Sequence, residues 1–160
     1  MTSLKLEIVQ ERPFDSAEEE ALLNLLRTSD CLQRGFHFKT RTWGITSTQY
    51  NVLRILRGAQ PHGLTCSAIG SRMITAEPDI TRLLARLKTL HLVSQSRDTK
   101  DRRVVWTQIT PQGLELLSQM NPAIQAAPGE LLGHMSKADL AELIRLLELA
   151  RKSCPGPTPL

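Results

Sequence analysis

Residues 64–113 read LTCSAIGSRMITAEPDITRLLARLKTLHLVSQSRDTKDRRVVWTQITPQG. In the middle of this stretch Ile80, Leu83, Leu84, Leu87 and Leu90 recur at spacings of three and four, which places them on one face of a helix over 78–90. Pro78 suits the first helical position, where a missing N–H costs nothing. Glu77 and Asp79 beside it complement the positive end of the helix dipole. A shorter helix over 67–73 precedes it, burying Ile69 and Met73, and residues 74–77 leave room only for a tight turn. Beyond it Val105, Thr107 and Ile109 alternate with Val104, Trp106 and Gln108, the period of a strand. The candidate strands are 92–97 and 103–109, and the tip between them, RDTKDRR, holds four basic and two acidic side chains. Thr110 then caps a further helix whose first residue is Pro111. The order is helix, turn, helix, two-stranded wing.

A short helix with an apolar face and a Thr/Arg/Lys face docks on a core and turns its polar side outward. In a helix-turn-helix that side enters the major groove of double-stranded DNA. Asp79, Thr81 and Arg82, with Pro78 beside them, are the major-groove candidates. Arginine pairs with guanine, and aspartate accepts from cytosine. Helix-dipole complementarity explains Asp79 equally well. Arg86, one turn further on, suits a phosphate contact or an internal ion pair, and Lys88 suits solvent. Thr65 and Ser67 open the first motif helix and can reach phosphate, although capping alone would account for them. Arg97, Lys100 and Arg102 in the wing are tip or phosphate contacts, because a thin basic ribbon can lie along a groove.

The net charge of the 160-residue chain is +4, and its location says more than its size. Residues 72–103 carry eight Arg/Lys and four Asp/Glu, so the remaining residues balance at twelve of each sign. The whole excess lies in the helix-turn-helix and wing, the footprint expected for a polyanionic partner.

The stretch resembles the winged helix-turn-helix regulators of the MarR type. Their wing signature is Asp-x-Arg, five residues, Leu-Thr, two residues, Gly. Here it reads Asp101-Arg102-Arg103, VVWTQ, Ile109-Thr110, Pro111-Gln112, Gly113, with Ile in place of Leu. The segment from Leu64, including Ile80-Thr81-Arg82-Leu83, aligns without gaps, and a looser likeness runs from about 17 to 152. The resemblance implies a single mostly α domain over 1–160 with a small β wing. Residues 46–113 form the winged helix-turn-helix, and 16–45 and 114–153 form helices that intertwine in a homodimer. It also implies that Asp101 pairs with an arginine, read here as Arg103, and aims it at DNA. Finally, it implies a small phenolic or lipophilic effector bound between the dimer layer and the winged unit. Phe36, Trp43 and Tyr50 are candidate lining residues for such a pocket, core packing being the plainer use of three aromatics.

The flanking regions agree with this outline. A long helix starts near Ser16 with Glu18–Glu20 in its first turn, and Leu22, Leu25, Leu26, Leu32 and Phe36 mark its apolar side. Thr46–Ser47 caps a second helix, closed by Gly58, Pro61 and Gly63. After Gly113 a helical pattern continues, and Pro122 and Pro128 predict an interruption or kink. Ser136 and Asp139 form a capping box before Leu140, Leu143, Ile144 and Leu147. Residues 1–15 are a short extension in which Leu4, Leu6 and Ile8 alternate, compatible with an added strand, packing on a partner subunit or a flexible arm.

Cys31, Cys66 and Cys154 form no CxxC pair, and Cys31 reads as a small buried hydrophobe rather than a reactive thiol. His37, His62, His91 and His134 lack metal-ligand spacing, so neither zinc nor another cofactor is expected. No apolar run is long enough to span a membrane, and the N-terminus lacks a signal-peptide core, so the expected compartment is the cytoplasm. No GxSxG, P-loop, HExxH or Rossmann pattern marks an enzyme. The reading is a homodimeric, effector-responsive repressor at a near-palindromic DNA site. The alternative is a winged helix used for protein contact, which would not need a basic outward face.

Overall fold

The computed structural model describes residues 3–75 and 79–154. Its elements follow in the order α1 (Leu4–Glu7), α2 (Ala17–Arg41), α3 (Ser47–Gly58), α4 (Cys66–Gly70), α5 (Ile80–Thr89), β1 (Val93–Arg97), β2 (Val105–Ile109), α6 (Pro111–Leu132) and α7 (Lys137–Arg151). The fold is mostly helical with one two-stranded antiparallel sheet, as the sequence predicts.

Capping side chains mark where the longer helices begin. Ser16 accepts from the Glu19 N–H before α2, and Thr110 accepts from the Gly113 N–H before α6. Thr46 with Gln49 and Ser136 with Asp139 make full capping boxes before α3 and α7. Each such cap satisfies donors that the helix itself leaves free, and its loss costs ~1 kcal/mol.

The core lies inside the unit from α3 to the start of α6. Val52, Leu53 and Leu56 of α3 pack with Ile69 of α4, Leu84 and Leu87 of α5, and Met120 of α6. The wing is fastened to the rest of the unit along one edge, where β2 pairs on one side with β1 and on the other with Leu64. Val93 faces Ile109 and Arg97 faces Val105 in register, while Leu64 bridges Thr107 from the other side. Leu64 and Thr107 exchange both backbone hydrogen bonds, at 2.9 and 2.8 Å. That close approach explains Gly63, which has φ +77° and whose missing Cβ would meet Thr107 O at 2.5 Å. Gly113, the last residue of the wing signature, is constrained in the same way: a Cβ there would stand 2.4 Å from Leu92 O.

The junction between α5 and β1 is also tightly built. His91 adopts φ +58°, its N–H donates to Lys88 O, and the Leu92 N–H donates to Leu87 O. This is a Schellman ending with histidine where glycine is usual. Thr110 Oγ1 donates to His91 O at 2.7 Å, so the end of α5, the start of β1 and the start of α6 meet at one point.

The outer helices are built differently. Helix α2 packs on α6 and α3, yet Thr40 is its only residue classed as buried, and α7 has none. Leu22, Leu25 and Leu26 on α2 and Ile144 and Leu149 on α7 stand exposed.

Four expectations are corrected. Residues 4–7 form a short helix rather than a strand, with Leu4 buried. Helix α6 runs through Pro122 and Pro128 without interruption. Each proline removes one helical hydrogen bond, but Leu117, Met120 and Ala127 are buried along the same helix, and packing outweighs the local penalty. Leu90 lies at the C-cap of α5 and is 40% exposed, so the apolar face of that helix ends at Leu87. Cys31 is exposed on α2 rather than buried.

Candidate nucleic-acid interface

Helix α5 begins at Ile80, not at Pro78 as the sequence suggests, and Pro78 itself lies outside the described residues. Asp79 is the N-cap, with a non-helical backbone and Oδ1 accepting from the Arg82 N–H at 2.9 Å. Of the two readings left open for Asp79, the local structural one is therefore occupied. Ile80, Leu84 and Leu87 are buried against the core, and Leu83 is half-buried. This fixes the helix rotation and leaves Thr81, Arg82, Arg86 and Lys88 exposed.

The short helix before it presents a second group. Thr65 caps α4 by accepting from the Ala68 N–H at 3.3 Å, and its hydroxyl stands 3.3 Å from that of Ser67. Thr81 Oγ1 lies 4.0 Å from Cys66 Sγ, so α4 and α5 touch through small side chains.

The wing tip is held by two aspartates. Asp101 grips Arg103 in a forked pair: Arg103 Nε donates to Oδ1 at 3.1 Å, and Nη2 donates to Oδ2 at 3.2 Å. The Arg103 backbone N–H adds a third bond to Oδ1 at 3.0 Å. The Arg103 side chain is nevertheless 91% exposed, so its orientation is fixed while its outer face stays open to solvent. These bonds from Arg103 hold the Asp101 carboxyl below the usual carboxylate range.

Asp98 is the residue that the sequence reading missed. Its Oδ2 accepts from the Trp106 indole Nε1 at 2.9 Å, and its Oδ1 accepts from the backbone N–H groups of Lys100 and Asp101 at 2.8 and 2.9 Å. The indole bond first, then the two backbone bonds, lower its pKa. An Asp opening a polar turn is a readable signal for the backbone bonds, because its carboxylate reaches N–H groups two and three residues on. The indole contact was not readable, because it depends on how the hairpin closes.

Thr65, Ser67, Thr81 and Arg103, predicted separately from three elements, line one concave surface of about 610 Å³ between α4, α5 and the wing. Gln95 and Thr107 complete its polar lining, and the Gln95 side chain donates to Thr107 Oγ1 at 3.4 Å. Arg82 and Arg86 lie on the exposed face of α5 outside that concavity, and Arg97, Lys100 and Arg102 stand exposed around the wing tip.

A second cavity, of about 520 Å³, lies where α2, α3 and α6 meet the segment leading toward α5. Phe36 and Tyr50 both line it, with ring centroids 5.8 Å apart and planes tilted by 60°. Leu32, Ile124 and Leu131 extend the apolar wall. Trp43 is not part of the lining; it is half-buried against the core cluster.

A helix-turn-helix flanked by a basic wing, with a polar outward face on its second helix, defines the class of winged-helix DNA-binding proteins. Comparison with known proteins makes this more specific. The MarR family model matches residues 45–105. A MarR transcription factor from Planctomyces limnophilus is 39% identical, covering 86% of this chain and 99% of that one, with a TM-score of 0.67. The HTH-type transcriptional regulator MhqR of Bacillus subtilis is 27% identical over 91% of this chain and 89% of its own length. Sco3205, a MarR family transcriptional regulator from Streptomyces coelicolor solved in complex with DNA, shares the fold at 17% identity, with 92% and 98% coverage and a TM-score of 0.77. The chain belongs to the MarR family of transcriptional regulators. Among the described residues, no helix is long and apolar enough to cross a membrane.

Proposed function

We propose that the protein is a homodimeric repressor that binds a near-palindromic DNA site and is released by a small effector. The observation that carries the DNA part is the convergence of Thr65, Ser67, Thr81 and Arg103 on one surface beside the exposed Arg82. Arg82 and Thr81 face the major groove and read base edges, while Thr65, Ser67 and Arg86 take phosphates. The Asp101–Arg103 fork presents an oriented guanidinium to the groove next to it, and Arg97, Lys100 and Arg102 supply backbone charge. Asp79 positions the first turn of α5 rather than reading a base.

The homodimer is supported by Leu22, Leu25 and Leu26 on α2 and Ile144, Leu146 and Leu149 on α7, which stand exposed among the described residues. A two-fold dimer sets two recognition helices about 34 Å apart, one turn of DNA, and so asks for an inverted-repeat site. The second cavity receives the effector at the joint between the outer helices and the winged unit. An effector that favours a different helix separation misaligns one half-site and weakens binding.

Selection from random duplex DNA, repeated at two salt concentrations, tests this reading. The expected result is a near-palindromic site with affinity that falls steeply as salt rises. Failure to enrich any sequence, together with weak binding at low salt, would overturn it in favour of a protein-contact role.

A further inference from the structure

Two aspartates stand in the tip of a wing whose other charges are basic. Asp101 grips Arg103, whereas Asp98 makes no salt bridge among the described residues. A carboxylate on a surface that meets a polyanion opposes binding, so Asp98 calls for a compensating use. Its hydrogen bonds supply one. Oδ1 accepts from the backbone N–H groups of Lys100 and Asp101, and Oδ2 accepts from the Trp106 indole at 2.9 Å. Asp101 repeats the arrangement one step on, taking the Arg103 backbone N–H and holding the guanidinium. The Asp98 N–H donates to Val104 O and the Val104 N–H donates to Asp101 O, both at 2.9 Å, which closes the tip. One chain of contacts therefore runs from Trp106 on β2, through Asp98 and the Asp101 backbone, to the Arg103 guanidinium.

The hairpin separates this chain from the concave surface. Side chains directly opposite, or two apart on one strand, share a face. Ser96 stands opposite Trp106, so Asp98 and Trp106 share a face on the diagonal. Gln95, Val105 and Thr107, on the other face, line the concavity together with Arg103, and neither Asp98 nor Trp106 lines it. The Arg103 side chain is 91% exposed, so bonds within the tip, and not packing, fix its direction.

We propose that Asp98 is a positioning residue for the wing arginine: anchored by the Trp106 indole, it fixes the Asp101 backbone and thereby the direction in which the Asp101–Arg103 fork points. The inference rests on the wing reading above and adds the residues that aim the fork. A fork between residues two apart holds its two partners together but does not hold the loop that carries both. Without the indole anchor the fork stays closed and its direction wanders.

The test uses the full chain. Asp98→Asn keeps one oxygen for the Lys100 and Asp101 N–H groups, because Asn closes such turns as Asp does. Its amide NH2 then faces the indole N–H, and two donors cannot bond. The variant also removes a negative charge, which by itself would tighten binding to DNA. Trp106→Phe removes the same bond and leaves the charge unchanged. Each is expected to lower affinity for the selected DNA site about fivefold in fluorescence anisotropy, the usual worth of one hydrogen bond. Binding to random duplex is expected to be no weaker, and the double variant is expected to lose no more than either single one. NMR relaxation of the free protein is expected to show the Arg103 Nε–H group more mobile in both variants. Asp98 lies half-buried at the tip and outside the core cluster, so Asp98→Asn keeps the test decisive if Trp106→Phe lowers stability.

An Arg103 signal unaltered in both variants overturns the proposal, and so do independent, additive losses in the double variant. Arg103→Ala serves as the control for the wing reading. If it weakens binding while Asp98→Asn binds as tightly as the natural protein or more tightly, the wing reading stands and the role of Asp98 falls. If Arg103→Ala leaves affinity unchanged while the two variants still loosen the Arg103 signal, the grip of Asp98 on the fork stands and the wing reading falls.

Discussion

The winged unit and the outer helices both carry apolar side chains along one side, yet they use them in opposite ways. In α5 the stripe closes on the chain's own core, with Ile80, Leu84 and Leu87 buried. In α7 a weaker stripe buries nothing fully, and in α2 Leu22 and Leu26 are 56% and 58% exposed. A contiguous apolar surface of this kind on a folded chain marks an interface. The difference separates two energetic tasks. The winged unit closes on its own core, while the outer helices leave apolar side chains open to solvent.

The contrast can be broken most forcefully at the outer layer. Leu22→Glu with Leu26→Glu is expected to leave the winged unit folded but abolish dimerisation, as read by sedimentation equilibrium. Losing the second half-site would lower DNA affinity about 100- to 10,000-fold, the usual gain from linking two binding events. A double variant that remains dimeric with normal affinity would place the interface elsewhere. In the winged unit the failure should be of another kind. Leu87→Ala removes a fully buried side chain and is expected to cost about 2–5 kcal/mol of stability in a denaturant melt.

Smaller effects sharpen the chemistry of the wing. Asp101→Ala frees Arg103 from its fork and is expected to weaken specific DNA binding by about 1–3 kcal/mol, with the fold unchanged. An equal loss from Arg102→Ala would show that charge alone matters and that the fork does not. Acid should loosen the same region. Asp98 and Asp101 have folded pKa values below the ordinary one, so their contribution is present above about 3.9 and is lost only as pH falls through the depressed values. The Trp106 indole N–H resonance is accordingly expected to hold steady from pH 7 to 5 and to move only in stronger acid. The smallest change concerns the joint between α5 and the wing. His91→Gly relieves a left-handed histidine and is expected to raise stability by about 0.5–1 kcal/mol.

Much of this architecture was readable in the residues. Thr46 with Gln49, Thr110 with Gly113 and Ser136 with Asp139 mark helix starts because a cap spans only three positions. The apolar period of 80–87 and the alternation of 105–109 likewise report local geometry. The Asp101–Arg103 fork, expected from the family's wing signature, needs only two residues of separation. Four of the candidate interface residues, Thr65, Ser67, Thr81 and Arg103, could be picked out singly from the sequence, and their meeting on one surface is what the packing adds.

Other features depend on chain reversal and were hidden. Trp106 meets Asp98 across a closed hairpin, Asn51 reaches Ile74 over 23 positions, and Leu64 pairs with Thr107 across the whole helix-turn-helix. Trp43, grouped with Phe36 and Tyr50 by its chemistry, packs against the core outside the cavity, because position in the fold and not residue type decides which aromatics line a pocket. Two prolines did not interrupt α6 because buried neighbours outweighed a local penalty, and Asp79 became a cap once the backbone turned into α5. Short-range hydrogen bonds and periodicity are written into neighbouring residues, so the elements and the family could be read directly from the chain. Which faces meet, which stay bare and where the cavities open follow from competition among all the apolar surfaces at once, and that competition is resolved only when the elements pack.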